Sequence, residues 1–145
     1  RVKVDPRGSG WRRVGGSMET HAIEGPGGAN QLVVRYNTID GYFNGIGAYS
    51  VGYDRNAKRD YDVYDNLLRR IPDDAFEPDY GAINWRIWNN RVEDVAVFMS
   101  LGPAHRGPLY DFRNGGWRLG KHGAGTANDG SALVGVLMFK FSGES

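Results

Sequence analysis

The chain has 145 residues, with 18 basic and 17 acidic side chains and a formal net charge of +1. A chain of this length buries enough surface for one hydrophobic core, and its balanced charge argues against a nucleic-acid-binding protein. Cysteine is absent, which excludes disulfides, thiolate metal sites and cysteine nucleophiles.

The expected location follows from what the sequence lacks. No apolar run approaches the roughly 18 residues of a membrane-spanning helix, and no signal peptide is visible at the start. The lack of cysteine fits a reducing compartment. We therefore expect a cytoplasmic protein, although secretion is compatible with the same features.

Glycine and aromatic residues favour an all-β protein. The 22 glycines and the 12% aromatic content are typical of many short strands joined by tight turns. Asp40 and Gly41 accept the positive φ angles of a two-residue hairpin turn. The predicted strands are residues 1–4, 11–14, 18–24, 31–39, 42–53, 83–88, 92–101, 117–119 and 131–141.

One segment, residues 60–71, changes period and predicts a short helix. Its apolar side chains follow the i, i+4, i+8 spacing of a helical stripe. Asp60 can serve as the N-cap, and Pro72 forbids continuation. The stripe consists of Val63, Tyr64, Leu67, Leu68 and Ile71.

These elements predict one domain, residues 1–145, with no internal repeat and no linker. Because strands dominate and one helix interrupts them, we expect a mainly β fold: a two-sheet antiparallel β-sandwich with a helix on its flank.

Motifs for catalysis and metal binding are missing. The histidines, His21, His105 and His122, do not have metal-ligand spacing, and there is no nucleophile elbow, phosphate-binding loop or calcium loop. An acid–base pair could be drawn from Asp62 with Glu77 or Asp79, but the sequence does not show that they converge. We expect no enzyme activity, no cofactor and no metal.

Aromatic residues interleaved with polar ones suggest a sugar site instead. A sugar stacks its C–H face on a ring and pairs its hydroxyls with donors and acceptors. The competing interpretation is that these rings belong to the core or rim of a β protein. The interleaved residues are Tyr61, Asp62, Tyr64, Tyr80, Asn84, Trp85, Arg86, Trp88, Arg91 and Tyr110.

The run KRDYDVYDNL, residues 58–67, resembles the K-R-x-x-D-[IV]-x-x-N-L pattern of the fungal fruit-body lectins. The opening RVKVDPRGSGWRRV resembles the first strand pair of that family, and ETHAIEGPGGANQLVVRY is similar to its strand, glycine-rich loop and next strand. The resemblance touches about half of the chain at low identity. The same sandwich is shared by the actinoporins, pore-forming toxins of sea anemones.

The resemblance implies an actinoporin-like β-sandwich with a helix-loop-helix connection, no catalysis and two carbohydrate-binding sites. One family site takes N-acetylglucosamine, and the other takes galactose-β1,3-N-acetylgalactosamine. The first would use Asp62, Val63, Asp65, Arg86 and Tyr110. The second would use Gly27, Gly28 and Asn56.

Several positions depart from the family pattern. Asp65 places a charge where the family has a neutral hydroxyl, Arg55 replaces a histidine and Ala57 replaces a tyrosine. A shallow sugar site binds weakly, so we expect a homo-oligomer that gains avidity for glycans or glycoconjugates. Alternatively, Asp62 caps a helix and Arg86 pairs with it in a surface bridge worth about 0–1 kcal/mol.

The rival function is an actinoporin-like membrane-binding or pore-forming protein. It requires an amphipathic N-terminal helix, which the opening RVKV with Pro6 and Gly8 does not provide. Tyr80, Trp85 and Trp88 could still supply an aromatic cluster for lipid headgroups. A small hydrolase using Asp62 or Glu77 is the third interpretation.

Overall fold

The computed structural model describes residues 21–25, 30–47, 58–79, 82–102, 107–120 and 135–139. This part of the chain is mainly β and contains no helix. Its strands are β1 His21–Glu24, β2 Val33–Arg35, β3 Thr38–Asp40, β4 Asn44–Gly47, β5 Lys58–Arg59, β6 Asp62–Tyr64, β7 Leu67–Glu77, β8 Ala82–Ile83, β9 Trp85–Trp88, β10 Arg91–Leu101, β11 Leu109–Phe112, β12 Gly115–Trp117 and β13 Gly135–Phe139.

The strands form parallel sheets. A seven-stranded sheet has the order β1-β4-β7-β10-β12, with β13 also on β10 and β3 also on β7. A four-stranded sheet has the order β11-β9-β6-β2, and β5 pairs with β8. Each described strand pair is parallel.

The register shows that the chain winds in stacked coils. Asp62 lies beside Arg86, and Leu67 lies beside Arg91, so equivalent positions of these coils are 24 residues apart. The preceding step is longer, because Val33 lies beside Asp62 and Thr38 beside Leu67, 29 residues apart. Each coil crosses the four-stranded sheet, turns, and then crosses the seven-stranded sheet. The described part of the chain is therefore a parallel β-solenoid, in which neighbouring coils bury a continuous core.

The predicted antiparallel sandwich with a helix-loop-helix connection is wrong. Alternating inward and outward side chains occur in parallel and antiparallel strands alike, so the sequence pattern did not reveal strand direction. The Asp40-Gly41 hairpin is wrong for the same reason. Gly41 does turn the chain with φ 74°, but β3 and β4 both pair with β7 and not with each other.

The predicted helix over residues 60–71 is also wrong, because the segment contains β6 and the start of β7. Asp65 and Arg70 have φ values of 54° and 53°, and these left-handed residues bend the chain between short extended pieces. Each bend changes which residues of the alternating pattern point into the core. Val63, Leu68 and Ile71 all point into the core as a result, with a spacing that imitates a helical stripe.

The expectation of no internal repeat is wrong as well. Four segments share an alternating start, a left-handed residue and then asparagine: LVVRYNTI from residue 32, YDVYDNLL from 61, WRIWNNRV from 85 and LYDFRNGG from 109. Only the asparagine is identical in all four segments. The repeat is therefore recognisable from the residue pattern and the backbone conformation, and hardly at all from sequence identity.

The asparagines form a ladder that fixes the register of the coils. The backbone amides of Asn37, Asn66 and Asn90 each donate to the side-chain oxygen of the asparagine in the next coil, over 3.1, 3.0 and 2.8 Å. Apolar columns run beside the ladder, such as Val34, Val63 and Ile87. The outward side chains of successive coils are consequently held in line.

Candidate functional site

Three of the predicted sugar-site residues form one outward column on the four-stranded sheet. Asp62 lies beside Arg86 on the neighbouring strand, and Arg86 lies beside Tyr110 on the next one. The Arg86 Nε donates to the Asp62 Oδ1 over 2.5 Å. Because parallel strands are about 4.8 Å apart, the Cα atoms of the column span only about 10 Å.

The column is accessible from solvent. Tyr110 is 47% exposed, and the side chains of Arg86 and Asp62 are 43% and 25% exposed. The ion pair leaves the second oxygen of Asp62 and the other N–H groups of Arg86 available for further hydrogen bonds. Acceptors, donors and an aromatic ring thus lie side by side on a rigid sheet.

The other residues of the first predicted site lie elsewhere. Val63 is completely buried between Val34 and Ile87, so its side chain is in the core and not on this face. Asp65 lies in the turn after β6 and accepts a hydrogen bond from the Asn89 side chain. The structure therefore places Asp65 at the margin of the column.

Several predicted residues lie outside the described part of the chain. They are Gly27, Gly28, Asn56, Arg55, Ala57, Tyr80, His105 and His122. The second predicted sugar site is among them.

A second outward column, next to the first, is aromatic. Tyr64 and Trp88 stack with ring centroids 4.4 Å apart, and Trp88 and Phe112 stack at 5.8 Å. Their planes are within 10° and 2° of parallel, so Trp88 has a ring against each of its faces. A sugar needs a free ring face, and the Trp88 ring therefore supports the sheet and is not a stacking platform.

Arg35 extends the aromatic column at its other end. Its guanidinium lies 6.0 Å from the centroid of the Tyr64 ring and donates to the Tyr64 hydroxyl over 3.0 Å. That hydrogen bond raises the pKa of Arg35 above its ordinary value, so the group stays charged. Sequence reasoning missed Arg35 and Phe112; the 24-residue spacing of Tyr64, Trp88 and Phe112 was the signal that could have identified the column.

Other aromatic residues confirm the core interpretation. Tyr61 and Trp85 are both fully buried and stack at 4.4 Å. The Trp85 indole N–H donates to the Lys58 carbonyl over 2.9 Å. Neither ring is available to a sugar or to a lipid headgroup.

The suggested acid–base pairs are not brought together. Asp62 belongs to the four-stranded sheet, whereas Glu77 ends β7 in the other sheet. Glu77 is buried, where its Oε2 lies 2.7 Å from His21 Nε2 and accepts a hydrogen bond from Asn44. Asp79 is buried and accepts a hydrogen bond from the Gly102 amide.

The described residues include neither a metal-binding cluster nor a membrane-spanning helix. No group of three or more histidine, aspartate or glutamate side chains there is arranged to hold a metal ion. None of the described segments is a helix that is long and apolar enough to span a membrane.

Comparison of the chain with family models, curated proteins and solved structures finds no match in any of the three, and none to a lectin family. The resemblance to the fruit-body lectins thus stays a prediction for function, while its sandwich fold is contradicted by the parallel strands.

Proposed function

We propose that the outer face of the four-stranded sheet binds carbohydrate, without catalysis. The observation that carries this proposal is the column of Asp62, Arg86 and Tyr110. A carboxylate accepts hydrogen bonds from adjacent sugar hydroxyls, a guanidinium donates to them, and an exposed tyrosine offers apolar ring surface. These are the complementary groups that a pyranose requires.

Rigidity supports the same proposal. The column lies on strands whose register is fixed by the asparagine ladder and by the buried Val63 and Ile87 beneath it. A binding surface that is already ordered loses little conformational entropy when a ligand arrives. The face is open rather than enclosed, so binding to a single site is weak.

A purely structural ion pair is the alternative for Asp62 and Arg86. Exposed pairs of this kind contribute about 0–1 kcal/mol to stability. The chain offers a matched comparison, because the exposed Arg91 pairs at 2.5 Å with the partly buried Glu93 on the other sheet, whereas Tyr110 lies on the four-stranded sheet. Removing either arginine should have a similar effect on stability, but only Arg86 should affect sugar binding.

The test is a glycan-array screen of the whole chain, followed by titration of the best glycan. The first probes are glycans ending in N-acetylglucosamine or in galactose-β1,3-N-acetylgalactosamine. Loss of hydrogen bonds from a charged group costs about 1.5–3 kcal/mol, so Arg86→Ala should weaken binding by roughly 10- to 100-fold. Tyr110→Ala should also weaken it, and Arg91→Ala should leave it unchanged.

Two results would overturn the proposal. The first is that no glycan binds, or that the protein docks to liposomes instead, which would favour the membrane-acting alternative. The second is that Arg86→Ala and Arg91→Ala change the affinity equally, since the column would then have no special role.

A further inference from the structure

Arg35 is a positive charge that the described residues hold in place without an ion pair. Its Nη1 donates to the Tyr64 hydroxyl over 3.0 Å, and no described carboxylate contacts the guanidinium. Five other arginines of the described part each pair with an acidic side chain: Arg69, Arg70, Arg86, Arg91 and Arg118. Arg35 is thus positioned by an aromatic residue, and its charge remains available to a ligand.

The guanidinium of Arg35 has one side that can bind a carboxylate through two hydrogen bonds. Its Nε and Nη2 groups donate to none of the described residues. These two nitrogens lie on one side of the planar group, where parallel N–H groups match the two oxygens of a carboxylate. Because the Tyr64 hydroxyl already restricts the side chain, a ligand that binds there loses less conformational entropy.

Tyr36 lies beside Arg35 and exposes an aromatic ring to solvent. Its ring centroid is 5.4 Å from the Arg35 guanidinium, its plane is 74° from that of Tyr64, and the residue is 71% exposed. Trp88, by contrast, has a ring against each of its faces. Tyr36 therefore offers ring surface that the stacked part of the column lacks, and the C–H face of a sugar can pack on it.

The backbone conformation of Tyr36 also indicates a role for its side chain. Tyr36 has φ 57°, in the left-handed region, which disfavours bulky side chains and tolerates asparagine and aspartate. The next two coils have Asp65 and Asn89 at the same turn, with φ 54° and 55°. A tyrosine at a position that suits a short polar residue is a strained residue, and such strain is concentrated at binding sites.

Arg35 lies on the same outward face as the pair of Asp62 and Arg86. It is in register with Tyr64, which follows Asp62 by two residues on β6. A strand spacing of about 4.8 Å and a rise of about 3.3 Å per residue place the Cα atoms of Arg35 and Asp62 about 8 Å apart. Adjacent sugars of one glycan can therefore contact both groups.

The charges on this face favour a carboxylated sugar over a densely sulfated one. Asp62 offsets the charge of Arg86, and Asp65 lies in the neighbouring turn, where the neutral Asn89 side chain donates to it. A polyanion would approach both carboxylates as well as Arg35, and the chain has a net charge of only +1. One carboxylate on one guanidinium is the charge pattern that fits this face.

We propose that the ligand of this face is an acidic glycan in which a uronic acid is linked to a neutral N-acetylated sugar, with the carboxylate bound to Arg35 and the uronic acid ring packed on Tyr36. The neighbouring sugar pairs its hydroxyls with Asp62 and Arg86. This inference rests on the proposed function, and it names the class of glycan and two further binding residues. A contact between a carboxylate and a guanidinium is stronger than a neutral hydrogen bond, so the acidic glycan binds more tightly than its neutral form.

The first test compares one glycan with and without its charge. The probes are oligosaccharides that alternate glucuronic acid with N-acetylglucosamine, and the same oligosaccharides after each carboxyl group has been reduced to a hydroxymethyl group. In calorimetric titration of the whole chain, the acidic probe should bind about 10- to 100-fold more tightly, because reduction removes hydrogen bonds to a charged group. Added salt should lessen this preference, since it screens an exposed ion pair.

The second test assigns the preference to Arg35. Arg35→Gln removes its charge, so the two probes should bind this variant equally. Arg91→Gln removes the same charge from the seven-stranded sheet and should keep the wild-type preference. Arg35→Lys keeps the charge without the parallel hydrogen bonds, so its preference should be intermediate. Asp65→Asn keeps the oxygen that accepts from Asn89 and removes a nearby carboxylate, so the acidic probe should bind roughly twofold more tightly.

The third test separates the Tyr36 ring from folding. Asparagine accepts the left-handed angle, so Tyr36→Asn should keep the wild-type midpoint in urea unfolding. Its binding of the acidic probe should weaken by roughly 2- to 10-fold, because the ring surface is lost. Tyr36→Phe keeps the ring and should bind as the wild type does.

The inference fails on any of three results. The first is equal affinity of the wild type for the acidic and the reduced probe, and the second is a preference that survives Arg35→Gln. The third is binding to vesicles that contain phosphatidylserine without binding to the acidic probe, which would assign Arg35 and Tyr36 to a membrane surface. If both probes bind equally and Arg86→Ala weakens both, only this inference fails and the proposed function stands; if no glycan binds, the proposed function fails as well.

Discussion

Asn90 is a buried residue whose removal should damage the ladder strongly. It is 2% exposed, and its side chain makes four hydrogen bonds. Its Nδ2 donates to the Val63 carbonyl and to Asn114 Oδ1, both over 2.9 Å. Its Oδ1 accepts from the backbone amide and the side chain of Asn66, both over 3.0 Å. Asn90→Ala removes all four.

The magnitude follows from these contacts. Each hydrogen bond contributes about 1 kcal/mol net, and a buried donor left without an acceptor costs about 1–3 kcal/mol. The Asn66 amide is buried and loses its acceptor, whereas the Asn66 side chain keeps its bonds to the Val34 and Tyr64 carbonyls. Asn90→Ala should therefore lower the free energy of unfolding by about 3–5 kcal/mol, from a total of about 5–15 kcal/mol.

Urea unfolding followed by circular dichroism measures this loss as a shift in midpoint at constant slope. The control is Asn89→Gly, because Asn89 is exposed, has φ 55° and makes a side-chain bond to Asp65. Glycine accepts that φ angle, so the control should lose less than about 1 kcal/mol. A loss below about 1 kcal/mol for Asn90→Ala, equal to the control, would refute a structural role for the ladder.

Three further predictions concern packing and charge. Gly45→Ala places a Cβ against the Ala75 carbonyl oxygen and should lower the melting temperature. The control Gly115→Ala meets nothing within 4 Å and should leave the melting temperature unchanged. Equal melting temperatures for the two variants would contradict this packing. Trp88→Ala removes two ring contacts from a half-buried side chain and should cost about 1–3 kcal/mol in urea unfolding, with no loss if the rings do not stack. Because partial burial raises the folded pKa of Asp111, its contribution to stability is complete below the unfolded pKa and is lost as pH rises through the folded pKa. Stability of the wild type relative to the Asp111→Asn variant should therefore fall from about pH 4 upward; a rise would show that the shift has the opposite sign.

The outward pair of Asp62 and Arg86 shows how local features and coil geometry combine. Residue chemistry and interleaving along the sequence are enough to select both side chains, and Tyr110 with them. The solenoid brings them together, because 24 residues complete one coil and return the chain to the neighbouring strand. The lectin resemblance predicted Val63 as a site residue together with Asp62, but adjacent residues on a strand face opposite ways, and Val63 is buried.

The sequence by itself determined that the chain is mainly β, and it located the strand at residues 92–101, because alternation, β-branched residues and turn residues act locally. The predicted strand at residues 83–88 is instead divided by Asn84, which has φ 55°, into β8 and β9 in two different sheets. The tertiary structure decided the strand direction, since inward and outward alternation is the same in parallel and antiparallel sheets. It also decided the secondary structure of residues 60–71. There the left-handed Asp65 and Arg70 bend the chain, so that the inward side chains of two strands have the spacing of a helical stripe. Pairing between coils is a long-range interaction, and the sequence marks it by the ladder asparagines and by the 24-residue spacing of Tyr64, Trp88 and Phe112.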